Sequence, residues 1–160
     1  MSDDIDRELA ILLRPSGDAG ANVMRREALD ALLERADEAH PRLLALAASD
    51  TPPLLALMAL PNFGRPESVP VLERVLHEGP DTTTAVAAAA LGEHPSERAR
   101  AAREAALEDT RTQVVLSAIV GLSQRGDARA CPALHALTDH ADEEVRERAA
   151  AARRTLACDD

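Results

Sequence analysis

The chain repeats itself at a fixed interval, and this feature constrains its fold more than any other. The stretch DARACPALHALTDH (127–140) follows RPESVPVLERVLHE (65–78) by 62 residues, so that Pro132 aligns with Pro70. Sixty-two is twice 31, and a period of 31 residues also aligns the rest of the chain. The aligned segments begin at Ala21, Pro52, Thr83, Val114 and Val145. A period of this length is typical of stacked helical hairpins, in which neighbouring repeats bury one another's apolar faces.

Three positions of the aligned segments form columns: the fifth and eighth positions mostly hold a small residue, and the ninth mostly holds leucine. The fifth-position column contains Arg25, Ala56, Ala87, Ala118 and Ala149. The eighth-position column contains Ala28, Ala59, Ala90, Gly121 and Ala152, and the ninth contains Leu29, Leu60, Leu91, Leu122 and Arg153. Small residues allow neighbouring helices to approach closely, and leucine fills the adjacent space. Arg25 and Arg153 depart from the pattern in the first and last segments, which we interpret as capping of the array.

The composition predicts an all-α protein. The chain has 33 alanines and one aromatic residue, and valine, isoleucine and threonine form no alternating runs. We predict a first helix at about 4–13 and helix pairs at 22–38 with 41–49, 51–61 with 66–78, 81–92 with 96–109, and 111–124 with 128–138. A last helix is predicted at 142–157. Residues 1–160 then form a single domain, with an N-terminal cap helix and loop (1–20), four helix pairs (21–140) and a C-terminal cap helix (141–160).

Three stretches resemble known repeats. DEEVRERAA (142–150), AVAAAALG (85–92) and GDARACPALHAL (126–137) resemble HEAT-like repeats, in particular the short bacterial type named after phycobilisome lyases. The resemblance implies a right-handed α-solenoid of about five helical hairpins of 31 residues, with the second helices on the concave side. It is specific for the fold and leaves the function open.

Charge and cysteine content narrow the possible partners and locations. The net charge is −10, and all 18 basic residues are arginines interleaved with acids, so we expect neither nucleic acid nor an anionic membrane surface as a partner. No apolar run approaches the length of a membrane span, and the acidic N-terminus does not resemble a signal peptide. With only Cys131 and Cys158 present, we expect a cytoplasmic protein with reduced thiols.

Candidate catalytic and metal sites have simpler explanations. Cys131 and His135 have the i, i+4 spacing of metal ligands, but four ligands, or three and a water, are needed, and we favour a packing cysteine beside a surface histidine. GLSQRGDA (121–128) has the glycine spacing of a phosphate-binding loop, but Asp127 stands where lysine is required and no strand precedes it. We therefore expect no catalytic residue, no metal and no cofactor.

Six polar residues of the second helices form two further columns. We call them the acidic row: Glu73, His77, Glu104, Glu108, His135 and Asp139. Such a row, on the concave side of a helical stack, is typical of a surface that binds protein segments. We predict a non-catalytic interaction module or scaffold that binds a basic segment of a partner protein, and that is itself a monomer or a weak homo-oligomer.

Two enzymatic alternatives are open to chains of this kind. The runner-up is a bilin-lyase-like enzyme or accessory chaperone, which the resemblance implies and which requires an apolar cleft. An alkylpurine glycosylase, some of which are built from HEAT-like repeats, has less support, because it would need a basic face and aromatic residues to hold a flipped base.

Overall fold

The described part of the chain is helical throughout. The computed structural model describes residues 2–15, 19–124 and 126–158, and within these ranges it contains no strand. The α-helices are α1 (Ser2–Leu12), α2 (Ala19–Glu34), α3 (Ala36–Ala47), α4 (Leu54–Ala59), α5 (Ser68–Glu78), α6 (Asp81–Glu93), α7 (Glu97–Ala105), α8 (Thr112–Gln124), α9 (Cys131–Ala136) and α10 (Glu143–Thr155). Short 3-10 segments occupy Leu60–Phe63, Ala106–Glu108, Ala128–Ala130 and Leu137–Asp139. The predicted all-α class is confirmed.

Local capping chemistry explains where several helices begin. The Ser96 side chain accepts a hydrogen bond from the Ala99 amide at 3.2 Å, and the Asp142 carboxylate accepts one from the Glu144 amide at 2.9 Å. Each satisfies an amide that has no partner within the first turn of its helix. These two side chains set the starts of α7 and α10.

From α4 onward the even-numbered helices, which are the first helices of the repeats, pack in series. Helix α4 packs on α6, α6 on α8 and α8 on α10, while α1, α3, α5 and α7 form a second series of contacts. Neighbours along the chain also pack together, as α5 does on α6 and α6 on α7. The small and leucine columns face these contacts, and Ala56, Ala87, Ala118 and Ala149 are completely buried. The period in the sequence therefore corresponds to a period in the core.

Helices α6 and α8 approach one another at backbone distance. A Cβ atom on Gly121 would lie 2.8 Å from the carbonyl oxygen of Ala88, and one on Gly92 would lie 3.2 Å from that of Gly121. Glycine at these positions is thus a packing requirement. A glycine near the end of a helix often terminates it, but Gly92 lies inside α6. Its lack of a side chain makes room for α8.

A C-terminal capping motif and a disulfide close the end of the chain. Ala157 has a positive φ of 51°, the Cys158 amide donates to the Arg153 carbonyl at 3.0 Å, and the Ala157 amide donates to that of Arg154 at 3.2 Å. This pair of bonds is a Schellman motif, with alanine where glycine is usual. The turn directs Cys158 back to the start of α9, where it is bonded to Cys131 with the Cα atoms 5.6 Å apart.

The prediction of reduced thiols is therefore wrong. The two cysteines are 27 residues apart, and they meet because α10 packs on α9 and returns the chain to the start of that helix. Their pairing depends on this tertiary return rather than on any local spacing.

Candidate functional site

The acidic row is distributed over three second helices of the array. Glu73 and His77 lie on α5, Glu104 and Glu108 lie on α7 and the 3-10 turn after it, and His135 and Asp139 lie at the equivalent places on and after α9. The 31-residue interval thus assigns the row to equivalent places in three repeats.

Histidine 77 is held by a carboxylate of the next repeat. Its Nδ1 atom lies 2.7 Å from Oδ2 of Asp109. Partial burial of the Asp109 carboxyl group favours its neutral form. Hydrogen bonds from the Arg111 amide and from His77 outweigh this effect, so that the pKa of Asp109 lies below its ordinary value. Asp109 therefore stays ionised and fixes the imidazole of His77.

Two glutamates of the row are already matched by arginine. Glu73 lies 3.6 Å from the guanidinium of Arg98, and Glu104 is hydrogen-bonded to Arg100, which also donates to Glu97 at 2.8 Å. These pairs reduce the negative potential over the α5–α7 part of the row.

The remaining members leave negative charge exposed at one end of the row. Glu108, His135 and Asp139 are exposed, and their side chains form no hydrogen bond or ion pair within residues 2–15, 19–124 and 126–158. The carboxylates of Glu108 and Asp139 are therefore the members of the row best placed to meet a cation from another molecule.

An ion-pair network borders the row between α7 and α9. Arg129 donates to Glu97 at 2.8 Å and to Asp127 at 2.7 Å. Hydrogen bonds from the Arg129 side chain and amide lower the pKa of Asp127 to about 2. The network joins consecutive repeats and keeps both carboxylates ionised at neutral pH.

Arginine also caps the ends of helices, a role that the sequence did not reveal. Arg74 donates to the Ala48 carbonyl after α3, Arg103 to the Leu91 carbonyl in α6, and Arg111 to the Leu76 and Gly79 carbonyls at the end of α5. A cation at a helix C-terminus satisfies open carbonyl groups and complements the helix dipole. Several of the arginines therefore stabilise the fold by binding carbonyl groups at or near the ends of neighbouring helices.

Residues that resembled a metal or phosphate site have structural roles. The sulfur of Cys131 is bonded to Cys158, so it is not a thiolate ligand beside His135. Across the described ranges, no three His, Cys, Asp or Glu side chains are grouped closely enough to hold a metal ion. In the stretch 121–128, Gly121 contacts α6 and Gly126 has a φ of 66°, which places it in a turn; Arg125 lies outside the described residues.

A groove between α2 and α4 is a second feature that the sequence analysis missed. It has a volume of about 490 Å³, and its walls include Leu29, Leu33, Leu55 and Met58. We call it the α2–α4 groove. Charged residues of α2 also line it: Arg25, Arg26 and Asp30. The equivalents of Arg26 at 31-residue intervals are Leu57, Ala88, Ile119 and Ala150, of which the first three are buried and the last is half-buried.

The charged residues of α2 explain why the groove is open. Arg26 and Asp30 occupy the columns of Ala88 and Gly92, the residues through which α6 contacts α8. Their charged side chains are exposed, because burying them without partners would be costly. Arg25, in the small-residue column, donates instead to the carbonyl of Arg14 beyond α1 at 3.1 Å. Comparing the columns by charge would have revealed this groove.

The fold and the repeat define the class of protein: an all-α chain built from packed helical hairpins. Residues 77–154 match the family model described as HEAT repeats, so the predicted resemblance is confirmed and this segment consists of HEAT repeats. No curated protein shows significant similarity to the chain. In the described part of the chain, no helix is both long and apolar enough to cross a membrane.

Proposed function

We propose that the chain is a non-catalytic protein-interaction module that binds a basic segment of a partner protein along the acidic row. HEAT-repeat domains are generally protein-interaction modules, which supports the class of function. The exposed carboxylates of Glu108 and Asp139, at equivalent places in consecutive repeats, support the chemistry of the ligand. Opposite charge would accelerate association and select the partner.

The finer architecture belongs to the same proposal. A right-handed solenoid of about five 31-residue repeats would place α3, α5, α7 and α9 on its concave side. The row would then form one wall of a continuous groove. Contacts from α1 to α3, α3 to α5 and α5 to α7 support such a stack.

A basic peptide tests the proposal directly. A fluorescein-labelled peptide of six Arg-Ala repeats should bind the chain, and its anisotropy should report the affinity. Glu108→Arg combined with Asp139→Arg should weaken binding by about tenfold or more, because two exposed anions become cations. Glu73 and Glu104 are left unchanged, since they pair with Arg98 and Arg100 within the fold.

The matched control changes the same charge elsewhere. Glu27→Arg combined with Glu147→Arg alters two exposed glutamates on α2 and α10, away from the row. This variant should lose only the small, salt-sensitive part of the affinity that arises from net charge. Equal weakening by both variants would show that the row is not the binding surface.

The alternative of a bilin-lyase-like enzyme or accessory chaperone has one supporting observation, the apolar wall of the α2–α4 groove. On the non-catalytic proposal, adding a bilin should leave its visible absorption spectrum unchanged. A spectral shift that disappears in Leu55→Asp would favour bilin handling instead.

A cytoplasmic location stays a prediction, and the Cys131–Cys158 bond weighs against it. Disulfides persist in oxidising compartments and are rare in a reducing cytosol. Trapping free thiols in intact host cells with a maleimide would decide between these locations. Labelling of both cysteines would support the cytoplasmic prediction, and protection of both would contradict it.

A further inference from the structure

The exposed apolar surface of the molecule is concentrated on α2 and α4. Among the described residues, the exposed large apolar side chains are Val23, Met24, Leu54, Met58 and Val120. Four of these five belong to α2 and α4. Met58, which is 53% exposed, lines the α2–α4 groove, and Leu54 lies one helical turn before it on α4, whereas Met24 lines a separate pocket beside Ile11 of α1. Leu54 and Met58 are thus an exposed apolar pair at the groove, and neighbouring apolar exposure of this kind marks an interaction surface more often than isolated residues do.

Charges of both signs border this surface. Arg26 and Asp30 are exposed, line the groove and lie one helical turn apart on α2. A uniformly acidic or uniformly basic ligand would be attracted by one of them and repelled by the other. A second copy of the same helix, running antiparallel, would instead place each arginine opposite an aspartate. The pattern of charge is therefore self-complementary.

We propose that two copies of this chain associate about a two-fold axis through the surface formed by α2 and α4. Met58 and Leu54 of each copy contribute the apolar centre, and Arg26 of one copy faces Asp30 of the other. The interface is independent of the acidic row, which lies on the second helices. The chain has no tryptophan or tyrosine to anchor it, so the dimer is weak and reversible.

The net charge of the chain predicts how salt affects the association of this dimer. Each copy carries a formal charge of −10, so two copies repel one another at long range. Salt screens this repulsion more than it weakens short contacts within the interface. Association should therefore become tighter when sodium chloride is raised from about 20 mM to about 200 mM.

Sedimentation velocity tests the proposal over protein concentrations from about 1 to 300 µM. The wild-type chain should shift from monomer to dimer across this range. Met58→Asp should raise the dissociation constant by about tenfold or more, because it places a charge in the apolar centre. Val120→Asp, which makes a similar change at another exposed apolar residue on α8, should leave the dissociation constant unchanged.

A charge exchange tests the pairing itself. Arg26→Asp and Asp30→Arg should each weaken self-association, because like charges then face one another across the axis. An equal mixture of these two variants should form a heterodimer at least as tight as the wild-type dimer, and the double variant should recover self-association. Circular dichroism of each variant serves to show that the helices are retained.

Three results would overturn the proposal. The first is a wild-type chain that stays monomeric at the highest concentration, which would leave the surface to a different partner. The second is an equal effect of Met58→Asp and Val120→Asp on association. The third is a mixture of charge variants that associates no better than its components.

Discussion

The junction between α6 and α8 and the junction between α2 and α4 occupy equivalent places in the repeat, yet they are built differently. At the first, Gly121 and Gly92 bring two helices to backbone distance. At the second, Arg26 and Asp30 replace the small residues, and a groove remains. The 31-residue period is thus compatible both with a sealed junction and with an open one. The side chains in two columns decide which of them forms.

The same contrast extends to the two ends of the chain. The HEAT-repeat match covers residues 77–154, which include the close contact between α6 and α8, and the last helix is joined to α9 by a disulfide. Toward the N-terminus the exposed apolar side chains accumulate on α2 and α4. We infer that the C-terminal part is built for stability and that the N-terminal part keeps surface for association.

Removal of the disulfide, which lies in the C-terminal part, should have the largest effect on the free energy of unfolding. Cys131→Ala combined with Cys158→Ala should lower the free energy of unfolding by about 3.5 kcal/mol, because the bond closes a loop of 27 residues in the unfolded chain. Urea unfolding without reductant measures the change. A reductant should destabilise the wild type by a similar amount and leave the double variant unaffected; an unchanged wild type would refute a stabilising bond.

A leucine in the eighth-position column should distinguish the two junctions. Gly121→Leu should cost about 3 kcal/mol, since even a Cβ atom there would lie 2.8 Å from the Ala88 carbonyl. Ala59→Leu, the same column at the α2–α4 junction, should cost less than about 1 kcal/mol because its side chain enters the groove. Both values follow from urea unfolding. Similar costs at the two positions would remove the distinction between sealed and open junctions.

Acid should weaken the N-terminal part of the core through His40. This buried histidine lies 2.9 Å from the Ser68 hydroxyl, and burial, with a smaller contribution from Arg65, lowers its pKa from the ordinary value of 6.5. At a pH between the folded and unfolded pKa values, His40 binds a proton in the unfolded chain and not in the native state. The free energy of unfolding should therefore fall as pH drops below about 7, by at most about 1.4 kcal/mol per pH unit.

The measurement for His40 is the slope of stability against pH between about 5 and 7. His40→Gln should reduce this slope, because the group that titrates differently in the two states is gone. A slope that is unchanged in His40→Gln would contradict the assignment.

The smallest expected effect is a gain of stability from a substitution at the C-terminal end. Ala157 occupies the left-handed position of a Schellman motif, which disfavours any residue with a Cβ atom. Ala157→Gly should raise the free energy of unfolding by about 1 kcal/mol. Ala151→Gly, inside α10, should lower it by about 1 kcal/mol. A loss of stability in both variants would mean that the motif is not formed.

Most of the helical order could be predicted because it depends on local and periodic signals. The predicted helix at 81–92 corresponds to Asp81–Glu93, and the one at 111–124 to Thr112–Gln124. Ser96 caps α7 as its sequence position indicates. The role of Gly92 could not be predicted, because a glycine that ends a helix and a glycine that admits a neighbouring helix look alike in sequence.

The candidate site could be predicted only in outline. The two columns of the acidic row follow from the period, but their pairing with Arg98, Arg100 and Asp109 does not. Those partners belong to the same or the next repeat, and an arginine has enough reach for several carboxylates or carbonyls. Which of them it contacts depends on the distances between packed helices.

By itself, the sequence determined the helical class, the 31-residue repeat and the columns that form the core, because helix formation and apolar periodicity are encoded residue by residue. Only the tertiary structure decided that Cys131 meets Cys158, that arginines cap neighbouring helices, and that α2 and α4 leave a groove. Each of these depends on the separation of segments distant along the chain, which is set by how all the side chains between them pack.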